Sequence, residues 1–209
     1  MIKIFLDGGP IMWPLLLCSI LTLATVLERL YFIVRERGRR QPELVEEILR
    51  RAEQGDVRGA LKAGQRSEDY IVRVLTQAMA LRGASFSNAA VHAASVELKR
   101  FNRGLVVLDT MITLSPLLGL LGTITGMIHA FGLLGGQELD APTAITGGIA
   151  QALIATAFGL SIAITAVIPF NYLNSRLEEA RHNIQNAASQ LELHLGQPGI
   201  SVVKSEAVS

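Results

Sequence analysis

The sequence predicts an all-α integral membrane protein with three transmembrane helices and long helical extensions on the cytoplasmic side. Half of the 209 residues are hydrophobic and the mean hydropathy is +0.38, a balance soluble domains of this size rarely reach. Three apolar runs each exceed the ~20 residues needed to cross a bilayer. Fourteen Lys and Arg residues fall between the first and second runs, and none falls in "GGQELDAP" between the second and third.

The first run, 10–34, reads "PIMWPLLLCSILTLATVLERLYFIV". It is too long for the apolar core of a cleaved signal and has only Lys3 before it, so it is expected to be retained as a helix. Trp13 with Pro10 and Pro14 fits an outer-interface anchor. Cys18, the single cysteine, sits in apolar sequence as a small hydrophobe and excludes an intrachain disulfide. Glu28 and Arg29 near its far end can pair or extend toward water.

Residues 35–104 carry the basic excess, which places this region in the cytoplasm, with residues 1–9 and the short loop 135–143 periplasmic. Arg35, Arg37, Arg39 and Arg40 set the topology and can contact anionic lipid. The region is expected to be helical throughout. "PELVEEILRRAEQG" opens with proline and stops at Gly55; "DVRGALKAG" offers an Asp cap; "SEDYIVRVLTQAMALRG" offers a Ser cap and an apolar stripe. The stretch from Ser85 has no breaker before Gly104, so the second span, 105–134, is expected to extend as one long helix. The third span, 144–173, is expected to continue as an amphipathic helix within the cytoplasmic segment 174–209, fraying beyond Gly196.

The second and third spans form an antiparallel hairpin. Thr123 and Thr156 lie equally far from its centre, which puts both hydroxyls at similar depth. They can line a common path, or each can bond back to a carbonyl of its own helix. Gly122 and Gly126, and Gly148, Ala152 and Thr156, form small-residue stripes, with Ala155, Gly159 and Ala163 a further one. Such faces predict close helix packing, here expected between subunits, with Gly122, Gly126, Gly148 and Gly159 as packing positions. His129 lies roughly 120° around the helix from Thr123. Gln151 is a polar group for an interface or for internal structure.

No Asp or Glu occurs from Met111 to Leu134 or from Ala144 to Leu173. Threonine cannot hold and release a proton near neutral pH, and membrane proton relays use Asp, Glu or His. Ion-coupled work at mid-membrane therefore needs a titrating group from another chain. The histidines are scattered, no metal-ligand spacing occurs and no phosphate-cradling turn follows a strand, so neither an enzyme nor a cofactor is expected. A net charge of +1 argues against a nucleic-acid partner.

"SPLLGLLGTITGMIHAF" (115–131) and "ITGGIAQALIATAFGLSIAI" (145–164), with the opening "GGPIMWPLLLCSILTLATVLERLYF", closely resemble the MotA/TolQ/ExbB proton channel family in its ExbB/TolQ branch. The resemblance implies a bacterial inner-membrane protein assembling as a ring, generally a pentamer, around the single spans of two copies of an ExbD/TolR-type partner. That partner supplies an intramembrane Asp, and proton flow drives work on the periplasm or outer membrane. The family's pore-facing threonines fall on Thr123 and Thr156, its span-two proline on Pro116, and the asparagine after span three on Asn171. ExbB has glutamate where this chain has Gln151, and proline where it has Thr165; a proline follows one turn later, at Pro169. The expected function is a proton-channel motor subunit for energised import or envelope maintenance. The alternatives are a motor of the same family serving gliding or surface motility, and a non-conducting membrane scaffold.

Overall fold

In the computed structural model, which describes residues 5, 7–81, 85–132 and 141–196, with the side chains of 141–145 and 196 excepted, every regular element is an α-helix. These are α1 (Met12–Gly38), α2 (Pro42–Glu53), α3 (Val57–Gly64), α4 (Tyr70–Ala80), α5 (Phe86–Asn102), α6 (Leu105–Gly132) and α7 (Ala141–Gly196). Three of them, α1, α6 and α7, are long and apolar enough to cross a membrane. Most of the loop expected at 135–143 and the tail beyond Gly196 lie outside the described residues.

Local chemistry sets most helix ends. Pro42 sits in the first turn of α2, where its missing N–H costs nothing, and the chain turns at Gly55 with φ +78°. The Asp56 carboxylate caps α3 by accepting the Gly59 N–H at 2.9 Å. Two ends differ from the sequence expectation. The cap of α4 is Asp69, not Ser67: its carboxylate accepts the Ile71 N–H at 2.8 Å, while Ser67 Oγ accepts the Asp69 N–H at 3.2 Å. Asp69 also accepts the Gln41 N–H at 2.6 Å and Arg40 Nε at 3.2 Å, a load that a hydroxyl could not carry. The second span does not run back as one helix either. The chain breaks between α5 and α6 at Gly104, φ +84°, where a Cβ would lie 2.9 Å from Cδ of Arg29. Arg29 is buried there, paired with Glu28 and stacked 4.9 Å from the Phe32 ring centroid.

The chain divides into two units, an apolar one of Met1–Phe32 with Arg103–Ser175, and a polar one of Ile33–Asn102 with Arg176–Ser209. The polar unit has a core of large side chains, among them Ile48, Val72, Val74, Leu75 and Met79. The stretch of α7 in this unit offers Leu177, Ala180, Ile184, Ala187 and Leu191, alternating three and four residues apart, the seam of a core-facing helix. Buried charge is paired: Glu97 accepts from Arg73 at 2.7 Å and from Arg100 at 2.8 Å, and Glu36 lies 3.7 Å from Arg73. Glu36 lies beyond the apolar run of α1, and burial pushes its carboxyl above the ordinary range against the opposing pull of Arg73.

The apolar unit is built differently. The buried positions of α6 are Leu105, Leu108, Met111, Ser115, Gly119, Gly122, Gly126 and Ala130, so the half of this stripe nearest the hairpin turn is small. Leu15, Met12 and Ile162 form a cluster flanked by Ile11, Leu118 and Ile154.

Candidate functional site

The hairpin of α6 and α7 closes on small residues from both helices. A Cβ on Gly159 would lie 2.5 Å from the Ser115 carbonyl oxygen, and one on Gly122 would lie 2.5 Å from Cβ of Ala155. One on Gly126 would be 3.1 Å from the Gly148 carbonyl oxygen, and one on Gly148 would be 2.5 Å from Cβ of Ala130. The stripes that the sequence reading assigned to packing between subunits therefore meet within a single chain. Contact at backbone distance replaces side-chain interdigitation, as expected where lipid removes the hydrophobic driving force between helices.

This closeness decides what the threonines do. Thr156 Oγ1 donates to the Gly119 carbonyl across the hairpin at 3.0 Å. The approach exists because Gly119 has no side chain: a Cβ there would sit 3.0 Å from Cα of Thr156. Helix geometry makes the same carbonyl the acceptor for the Thr123 backbone N–H, so one oxygen serves both threonine positions. Thr123 Oγ1 instead donates back to Leu120 O at 2.6 Å, on its own helix. The two residues are not level, as counting from the turn suggests: Thr156 faces Gly119, four residues and about 6 Å along α6 from Thr123.

Thr123 also borders a shallow, mostly apolar depression on α6 shared with Ile124, Met127, Ile128 and Phe131. Thr125 is exposed and bonds back to Leu121 O at 3.0 Å, and His129 is exposed. Gln151 is half-buried beside Gly9, φ +73°, where any Cβ would collide with its amide; its place is against the N-terminal segment of the same chain. Pro116 and Pro169 both lie inside their helices, and Asn171 is exposed.

Two buried hydroxyl groups escaped the sequence reading. Ser115 and Thr22 are buried, with no hydrogen-bond partner for the Ser115 Oγ or the Thr22 Oγ1 among the described residues. Thr22 lines a cavity of about 160 Å³ with Ser19, Ile162 and Thr165, and the Thr165 hydroxyl donates to Ser161 O. A serine directly before the helix-interior Pro116 was the available signal for Ser115, because proline leaves one carbonyl of the preceding turn without its amide. Nothing in the sequence singled out Thr22.

The basic cluster divides by role. Arg39 pairs with Glu68 at 2.9 Å, while Arg40 binds Asp69, donates to Tyr70 Oη at 2.6 Å and stacks on that ring. Arg35 and Arg37 are exposed. Among the described residues, no group of three His, Cys, Asp or Glu side chains could hold a metal ion.

Comparison with known proteins matches residues 59–186 to the MotA/TolQ/ExbB proton channel family. The chain is 38% identical over 196 residues to the ExbB-like 1 protein of Synechocystis sp., covering 90% of this chain and 76% of that protein. It is 34% identical over 98 residues to the biopolymer transport protein ExbB of Neisseria gonorrhoeae, covering 47% and 44% of the two chains. It is 38% identical over 90 residues to the Tol-Pal system protein TolQ of Haemophilus influenzae, covering 43% and 40%.

Proposed function

The chain belongs to the MotA/TolQ/ExbB proton channel family, and from that membership we propose that it is the ring-forming subunit of a proton-driven motor. The subunit sits in the bacterial inner membrane with its N-terminus periplasmic and its C-terminus cytoplasmic. A ring, generally of five copies, surrounds the single spans of two ExbD/TolR-type partners. The energy of the proton gradient leaves as work on the periplasm or outer membrane, for energised import or envelope maintenance.

The observation that carries this reading is a hydroxyl-bearing hairpin that holds no carboxylate from Met111 to Leu134 or from Ala144 to Leu173. Such a path conducts only when a partner brings the titrating Asp. The apolar depression on α6, bordered by the Thr123 hydroxyl, offers a face for that partner's helix. Thr156 braces the two helices of the hairpin through its bond to the Gly119 carbonyl.

Reconstitution in liposomes under a pH gradient tests the proposal. Flux is expected with an Asp-bearing ExbD/TolR-type partner and not without it. Thr156→Ala is expected to leave the ring assembled, judged by size-exclusion chromatography, and to lower partner-dependent flux. Wild-type flux from Thr156→Ala removes that residue's role. No flux from the wild-type chain with its proper partner favours the non-conducting scaffold.

A further inference from the structure

The exposed side of α6 changes character along its length. Toward the hairpin turn it carries the shallow apolar depression of Thr123, Ile124, Met127, Ile128 and Phe131. Toward the other end, Asp109 and Thr113 are exposed. Asp109 comes eighteen residues before Met127, and Thr113 eighteen before Phe131. Eighteen residues make five full helical turns, so the members of each pair lie on the same side of the helix. The buried stripe through Gly119 and Gly126 lies about 90° around from Asp109. Asp109 and the depression are thus two ends of one face, about 27 Å apart along the axis.

The Thr113 hydroxyl is spent on its own helix, donating to the carbonyls of Asp109 at 3.3 Å and Thr110 at 3.0 Å. The Asp109 carboxylate has no hydrogen bond or ion pair among the described residues. It is the one charge on a face otherwise suited to apolar contact, and an ionisable side chain on a membrane helix points to a partner.

Two physical arguments identify the counter-charge. On the topology proposed above, the Leu105 end of α6 is cytoplasmic, and the cytoplasmic flanks of membrane spans are enriched in Lys and Arg. A single span of ~20 residues is about 30 Å long. One whose outer end sits in the depression therefore comes level with Asp109 where its basic flank begins.

We propose that Asp109 is the docking point for the cytoplasmic Lys or Arg flank of the single-span partner, whose helix lies along this face from Asp109 to the depression. The inference rests on the motor reading, which supplies the partner, and adds the contact that sets its depth. A slip of one helical turn, about 5.4 Å, parts the charges.

The test uses the full-length chain co-expressed with a tagged ExbD/TolR-type partner, and measures how much of the chain the partner recovers from solubilised membranes. Recovery is expected to fall about tenfold in Asp109→Lys and about threefold in Asp109→Asn, with ring size unchanged by size-exclusion chromatography. Replacing the Lys and Arg of the partner's flank by Glu should restore recovery with Asp109→Lys. Val107→Lys is the control: Val107 is exposed at nearly the same depth but about 160° around the helix, and recovery should match the wild type. Independently of charge, Asp109→Cys in a Cys18→Ser background should form a disulfide with a cysteine placed in the partner's basic flank.

Wild-type recovery in Asp109→Lys, no rescue by the exchanged flank, or no disulfide overturns the proposal and leaves the motor reading in place. A changed ring size in Asp109→Lys also overturns it, because the carboxylate then faces a second copy of this chain. Lost flux in Asp109→Asn at full partner recovery overturns it in favour of a proton-transfer role. A wild-type chain that the partner does not recover overturns both.

Discussion

In the apolar unit a Cβ on Gly159 would lie 2.5 Å from the backbone of Ser115; in the polar unit Val72, Val74 and Leu75 are fully buried among other large side chains. The α6–α7 hairpin of the apolar unit leaves many large residues outside, with Leu117, Ile124, Ile128, Leu153, Ile164 and Ile168 exposed, and closes on small ones. The polar unit does the reverse and adds paired charge around Asp69 and Glu97. In water, burying a large apolar side chain stabilises by ~2 kcal/mol, so large residues belong in the core. In lipid that gain vanishes, and close backbone contact with occasional hydroxyl-to-carbonyl bonds is what holds helices together.

The largest expected effect lies at the glycine seam. Gly159→Val places side-chain atoms into the Ser115 carbonyl, where the obstacle is backbone and cannot swing away. The cost is about 3 kcal/mol or more, and the variant should be recovered from membranes at a small fraction of the wild-type amount. Wild-type recovery would show that the hairpin is not closed by small residues at all. Asp69→Ala strikes the polar unit in the corresponding place. It strips partners from the N–H group of Gln41, from the buried N–H of Ile71 and from Arg40, at about 2–3 kcal/mol, read as a lowered denaturant midpoint by circular dichroism. Ser67→Ala should cost far less, because Ser67 is not the cap.

Protonation separates the units further. The folded pKa of Glu36 lies above its ordinary value of 4.5 because burial penalises the carboxylate. Its contribution to stability is therefore complete below pH 4.5 and is lost as pH rises through the raised folded value. In Glu36→Gln that dependence disappears, so wild-type stability relative to the variant should fall across this window. A pH-independent difference would overturn the assignment. Smaller still is the stability effect of Thr156→Val, about 0.6 kcal/mol, since one interhelical hydroxyl bond contributes little even in a membrane. At the bottom of the scale is Gly147→Ala: beyond its own stretch of helix backbone, no atom of the described residues lies within 4 Å of its Cβ position, so stability should hold or rise by up to about 1 kcal/mol. A large loss there would mean that packing in the apolar unit extends beyond the stripe facing α6.

Sequence by itself determined the helical class, the three apolar helices, the cap at Asp56, the turn at Gly55 and the missing carboxylates of the hairpin. All of these follow from composition or from contacts a few residues apart. It also brought Thr123, Thr156 and the glycines into view, because one helix's periodicity reveals which positions share a face. Only the tertiary structure decided what each face meets. The acceptor for Thr156 is a backbone carbonyl at Gly119, and every residue carries such an oxygen, so no residue type could mark it. Small stripes read the same whether they close on their own chain or on another; their closure within the hairpin emerged from the backbone approach. Asp69 displaced Ser67 as the cap because Arg40 and Gln41, nearly thirty residues earlier, converge on its carboxylate. The break at Gly104 reflects the buried Arg29, more than seventy residues before it. Local patterns fix what a helix is; contacts between residues distant in the chain fix what each of its faces is for.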